Sequence, residues 1–199
     1  MRDASLDLKY GTSVRRDYGG NGVPVLRIPN VVGGRIDLDD MKYGSLDEKE
    51  QNDLRLGEGD LLLIRSNGST GIVGRTAVVD QNAVGVACAS YLVQLRFPMT
   101  TWFPEFLILA MSAKFCRDQI EGPFRTTSGV KNINSTEIGR LLLPVSPLAE
   151  QKRIVSKVTE LLSLCDALES QLKSTESAST QLLSAAVSHL LSTDSREGA

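Results

Sequence analysis

Two stretches of the chain carry basic residues and no acidic one. Leu61–Val79 holds Arg65, Ser66, Asn67, Ser69, Thr70 and Arg75, and Gly122–Ser135 holds Arg125, Thr126, Thr127, Ser128, Lys131 and Asn132. These residue types suit the reading of DNA. An arginine can bridge guanine O6 and N7, and an asparagine can bridge adenine N6 and N7. Lysine, hydroxyls and backbone amides hold phosphates and set register without reading sequence. The run Phe124-Arg-Thr-Thr-Ser-Gly-Val-Lys-Asn132 offers both kinds of group with no opposing carboxylate. Thr12, Ser13, Arg15 and Arg16 form a third such stretch. Each has a plain alternative: an ordinary surface loop, a hairpin tip, or a solvated strand end. Arg27, within Val25–Ile28, is a weaker candidate, with a structural ion-pair partner as its other reading.

Catalytic chemistry finds little to work with. The one histidine, His189, falls among Leu182, Ala186 and Leu190 on a helical seam, where packing explains it better than a catalytic triad does. One histidine and scattered cysteines do not make a zinc site. Asp37, Asp39 and Asp40 read as a solvated turn. Gly68-x-x-Gly71-x-x-Gly74 is neither a dinucleotide fingerprint nor a P-loop, because no Gly-Lys-Ser/Thr follows it. The expectation is a non-catalytic chain with no metal or cofactor of its own. An enzyme of unrecognised type is a competing reading, which nuclease and methyltransferase assays of the purified chain would discriminate.

These residues must be positioned by a chain of 199 residues and net charge −2, enough for one domain and an appendage. Residues 1–143 carry 17 basic and 17 acidic side chains, so any basic face must come from local convergence. Weak non-specific DNA binding follows from that balance. No apolar run reaches a membrane span of about 20 residues, and no signal peptide opens the chain. Cys88, Cys116 and Cys165 read as buried thiols in a reducing cytoplasm.

Hydrophobic patterning gives a mixed α/β (α+β) domain over residues 1–147 with a mixed or antiparallel sheet. Strands are expected within 6–36, at Leu61–Arg65, Ile72–Val79, Val84–Phe97 and Leu141–Val145. Helices are expected at Ser45–Leu54, with a Ser45/Glu48 capping box, at Pro104–Arg117 and at Ser135–Arg140. Ser66–Gly71 and Gly122–Asn134 read as loops. Pro147 then opens a long helix, residues 148–192, followed by a disordered tail at 193–199. Ile154, Val158, Leu161, Cys165, Leu168 and Leu172 make one seam with heptad spacing, as in a helix that pairs with another. Ser174–Thr180 is small and polar, which favours two helical segments or a bend near Ser177 over one straight helix.

The junction Leu-Pro-Val-Ser-Pro-Leu-Ala-Glu-Gln-Lys-Arg-Ile-Val at 143–155 resembles the L-P-x-P-P-L-x-E-Q-x-x-I-V signature of the specificity subunits of type I restriction–modification systems. Further pieces follow the family's order: Lys9-Tyr10-Gly11-Thr12, Pro24-Val25-Leu26-Arg27-Ile28, Gly59-Asp60-Leu61-Leu62, Arg65-Ser66-Asn67-Gly68-Ser69, Val73-Gly74-Arg75 and Thr127-Ser128-Gly129-Val130-Lys131-Asn132-Ile133. Family members usually carry two target-recognition domains; this chain has room for one, and the Trp-containing lead-in to Tyr10-Gly11 is missing or altered. The resemblance implies a cytoplasmic, non-catalytic subunit that recognises double-stranded DNA. It would dock modification subunits, which bind S-adenosylmethionine, and through them restriction subunits. With the second half absent, the seam implies a homodimer. From Leu148 to Lys173 a helix would span roughly 39 Å at 1.5 Å per residue, close to one DNA turn of about 34–36 Å. The competing reading is a stand-alone interaction protein that occupies modification subunits without directing them.

Overall fold

The computed structural model describes residues 7–122, 125–127 and 130–197, and of 125–127, 130 and 185–197 it describes the backbone. Ser128, the side chains of Arg125, Thr126 and Thr127, and those of Ala186, Val187, His189 and Leu190 lie outside the described residues. In chain order the strands are β1 (Asp7–Tyr10), β2 (Arg16–Asp17), β3 (Val23–Leu26), β4 (Val31–Val32), β5 (Arg35–Ile36), β6 (Lys42–Gly44), β7 (Leu61–Ile64), β8 (Ser66–Asn67), β9 (Thr76–Val78), β10 (Ala87–Cys88), β11 (Leu92–Arg96), β12 (Arg125–Thr127) and β13 (Val130–Asn132). The helices are α1 (Glu48–Leu54), α2 (Pro104–Ser112), α3 (Lys114–Glu121), α4 (Ser135–Arg140) and α5 (Leu148–Glu197).

The central sheet runs β1-β11-β7-β9-β5-β4, antiparallel except for the β5–β9 pair. Its middle strand is the run Leu-Leu-Leu-Ile, buried on both faces. Leu61 and Leu63 join Val93 and Leu95 under Phe106, Leu107 and Met111 of α2 and Ile120 of α3. Leu62 and Ile64 face the other way, with Leu26, Leu56, Val79 and Cys88. Alternate residues of a strand point to opposite faces, so a continuous apolar run is what a two-sided core demands. A second sheet, β10-β3-β6-β2, has one parallel pair, and a third, β12-β13-β8, is antiparallel. The mixed α/β domain expected from the sequence is therefore present.

Several local expectations shift. The capping box of α1 is Asp47 with Glu50: Glu50 N donates to Asp47 Oδ1 at 2.8 Å and Asp47 N to Glu50 Oε2 at 3.2 Å. Residues 72–74 lie in turns, and the strand begins only at Thr76, after Gly74 with its φ of +82. The expected helix Pro104–Arg117 breaks at Ala113, whose ψ of 146 is extended. Leu141–Val145 is not a strand. Instead Gln119 brackets it, its Oε1 accepting from Leu142 N at 2.8 Å and its Nε2 donating to Leu142 O at 3.2 Å.

The first compact unit extends through Val155 and so includes the first two turns of α5. Gln151, fully buried, roots that helix. Its Oε1 accepts from Phe103 N at 2.8 Å, and its Nε2 donates to Thr101 O at 2.9 Å and Ser146 O at 2.8 Å. Ile154, expected in the pairing seam, packs on the domain core with Val155.

From Ser156 the helix forms a unit of its own. It is unbroken through Ser174–Thr180, so the expected division near Ser177 is not seen. Thr175 and Thr180 donate their hydroxyls to Gln171 O and Glu176 O, each at 2.9 Å, so these residues are accommodated without breaking the helix. The backbone is helical through Glu197, into the segment expected as a tail. Leu161, Leu168 and Leu172 are exposed, and so is Cys165, contrary to the expectation of a buried thiol. Cys88 and Cys116 are buried as expected. Burial, assisted by the nearby Asp60 carboxylate, pushes the Cys88 thiol up to about 12, and burial also raises Cys116.

Candidate nucleic-acid interface

The two acid-free stretches, distant in sequence, meet in the three-stranded ribbon. Residues expected to be loops pair as strands: Asn67 opposite Lys131, Ser66 opposite Asn132, Thr126 opposite Lys131 and Arg125 opposite Asn132. The pairing continues one step further, where Ile133 N donates to Arg65 O at 2.9 Å. Ile133 is buried in the core and anchors the ribbon's central strand. Directly opposed residues share a face. Asn67 and Lys131 therefore lie on one face of the ribbon, and Ser66 and Asn132 on the other.

The loop beyond β8 is held from behind. Asn67 Oδ1 accepts from Ser69 N at 2.9 Å, closing an Asx turn. Arg117 of α3 donates from Nη1 to Val73 O at 2.8 Å and from Nη2 to Thr70 O at 3.2 Å, while Glu121 one turn on pairs with it at 2.6 Å. Gly74 passes so close to α3 that a Cβ would sit 2.7 Å from Ile120 Cδ1 and 2.9 Å from Arg117 Nη1. Its positive φ favours glycine, whereas the side-chain ends that a Cβ would meet can shift. Ser69 and the glycines at 68 and 71 remain exposed at the tip. Arg75 is exposed, with Nε donating to Gly71 O at 2.8 Å.

Arg65 has a different placement. Its guanidinium packs over the Tyr10 ring, 4.7 Å from the centroid, with Nη1 3.4 Å from Ser90 O. Its Nε is buried without a partner among the described residues. Tyr10 in turn accepts from Ser135 N at 2.7 Å through its hydroxyl, tying β1 to the start of α4. Arg65 and Tyr10 thus brace the ribbon's base.

Thr12–Arg16 is largely consumed by the fold. Thr12 is 7% exposed; its N donates to Cys88 O at 2.7 Å, its O accepts from Ser90 N at 2.8 Å, and its Oγ1 accepts from Val14 N at 3.1 Å. Arg16 donates from Nη1 to Thr12 O at 3.0 Å and lies over the Tyr91 ring. Ser13 and Arg15 are exposed. Arg27 is a structural ion-pair partner, 2.6 Å from Asp40 Oδ2. That hydrogen bond, before any other influence, holds the Asp40 carboxyl below its ordinary range.

The sequence reading missed Tyr10, Arg117 and Gln151 as positioning residues. For Arg117 the Glu121 four residues on is a visible signal of a helical pair, though not of the loop it clamps. Among the described residues no cluster of His, Cys, Asp or Glu is arranged to hold a metal ion, and no helix is long and apolar enough to cross a membrane.

No protein-family model matches the chain. It is 30% identical over 166 residues to the type I restriction enzyme EcoKI specificity subunit of Escherichia coli (strain K12), a match covering 83% of this chain and 36% of that protein. Among solved structures it superposes with a TM-score of 0.62 and 18% identity on a chain from a study of complex assembly and conformational transition of the type I R-M system, covering 88% of this chain and 40% of the other. The HsdS subunit from Thermoanaerobacter tengcongensis gives a TM-score of 0.58 at 18% identity, over 84% of this chain and 43% of that one. The chain spans little over a third of the length of the curated relatives it matches first. In sequence and in fold it is a homologue of the specificity subunits of type I restriction–modification systems, matching part of their length.

Proposed function

We propose that this chain recognises a specific double-stranded DNA sequence as the non-catalytic specificity component of a type I restriction–modification system. The observation that carries the reading is the ribbon, in which two acid-free, amide- and hydroxyl-rich stretches are paired strand to strand on a rigid base. A two-stranded β-ribbon fits the major groove, where base edges are distinguishable, and the β12–β13 pair supplies one. Modification subunits carrying S-adenosylmethionine perform methylation, restriction subunits join through them, and all of this takes place in the cytoplasm.

The active form is a homodimer paired through α5. Leu161, Leu168 and Leu172 are 50%, 60% and 69% exposed, and burying a leucine is worth about 1.5–3 kcal/mol. Two identical recognition domains read identical half-sites, so the target is an interrupted palindrome. Selection of duplexes from a randomised pool by the purified chain at low salt tests this. An interrupted palindrome is expected, and Leu168→Asp reduces it to a single half-site and the protein to a monomer. No enriched sequence removes the proposal.

A further inference from the structure

The ribbon contains two asparagines within one register step of each other, and the fold gives them different tasks. We infer that Asn132 is the side chain that reads an adenine in the major groove, and that Asn67 shapes the loop without reading a base; this rests on the DNA-reading function proposed above. A bidentate asparagine contact needs both ends of the amide, Oδ1 accepting from adenine N6 and Nδ2 donating to N7. Asn67 has committed its Oδ1 to Ser69 N at 2.9 Å, so its amide plane is set by the turn. Asn132 is exposed, and no hydrogen bond to its side chain is present among the described residues.

Position strengthens the contrast. Asn132 lies on the ribbon's central strand, opposite Ser66 on one side and Arg125 on the other, so its backbone is held from both edges. The next residue, Ile133, is 2% exposed, and Asn134 caps α4, its Oδ1 accepting from Glu137 N at 2.9 Å. An exposed amide on a backbone fixed within one residue of the core is pre-organised for a base edge. Asn67 and Lys131 share the opposite face, and Lys131 is half-buried. Sequence discrimination therefore sits on the Ser66–Asn132 face.

The test passes the 199-residue chain, Asn132→Ala, Asn132→Asp and Asn67→Ala through selection from a randomised duplex pool, followed by titration of the wild-type target and single-base variants. The wild-type motif should contain an A·T pair at which substitution costs about tenfold or more. Both Asn132 variants should lose that preference alone, with thermal stability unchanged in Asn132→Asp, which keeps the side chain's shape. Asn67→Ala should lower thermal stability and leave the motif intact. A motif unchanged in both Asn132 variants, a lost preference at G·C, or a preference lost through Asn67→Ala overturns the inference. A wild-type chain that enriches no sequence removes the DNA-reading function itself, a distinct outcome.

Discussion

Ser66–Thr70 and Thr12–Arg16 carry similar chemistry, hydroxyls close to an arginine or an amide. In the first, Asn67 and Arg117 fasten the backbone and Ser69 stays in solvent. In the second, the hydroxyl of Thr12 is itself buried and Arg16 is turned back onto Thr12 O and the Tyr91 ring. The difference lies in what satisfies the backbone. The remote Arg117 holds much of the first stretch, so Asn67 is spent there while Ser69 is left in solvent; in the second, Thr12 and Arg16 are both spent locally. A basic, hydroxyl-rich stretch is thus left free for the binding proposed above only where another part of the fold supports it.

The largest effect that sharpens this contrast belongs to Gly11, which leads into the spent stretch. A Cβ there would lie 2.2 Å from Cys88 O and 2.3 Å from Ala89 O, both backbone. Gly11→Ala should lower unfolding stability by about 3 kcal/mol in urea titration. Its effect on DNA should follow loss of fold alone. Next comes Arg117→Ala, which leaves the carbonyls of Thr70 and Val73 without their guanidinium. A stability loss of about 1–3 kcal/mol is expected, together with a weakened ribbon loop seen as faster amide exchange at 69–73. Equal exchange in mutant and wild type would show that the loop needs no such clamp.

The smallest effects compare cations. Lys131→Ala should weaken binding across all sequences and reduce the slope of log K against log salt by about one, with the preferred motif unchanged. Arg15→Ala, exposed in the spent stretch, should change neither slope nor motif. A larger salt effect from Arg15 than from Lys131 would reverse the comparison.

The sequence disclosed what local pattern controls. Leu61–Ile64 reads as a strand because it is apolar at every position, and Ser135–Arg140 reads as a helix because its cap and first turn are consecutive. The heptad positions from Leu161 to Leu172 are likewise legible, and the structure leaves them exposed. What stayed hidden depends on distance. The hairpin from Arg125 to Asn132 has no apolar alternation, and its partner Asn67 is more than fifty residues away, so it looks like a loop. Arg117 reaches carbonyls 44 and 47 residues back, and Tyr10 meets Ser135 across 125 residues. No periodicity encodes such bonds. Gln151 sits inside the junction motif, yet that its amide fills a buried socket becomes visible only with Phe103, Thr101 and Ser146 around it.

The ribbon as reading surface is tested most directly by photocrosslinking the bound chain to its selected duplex and mapping the attached peptides by mass spectrometry. Crosslinks are expected within 66–70 and 125–132. Crosslinks confined to 12–16, with the ribbon peptides unmodified, would contradict it.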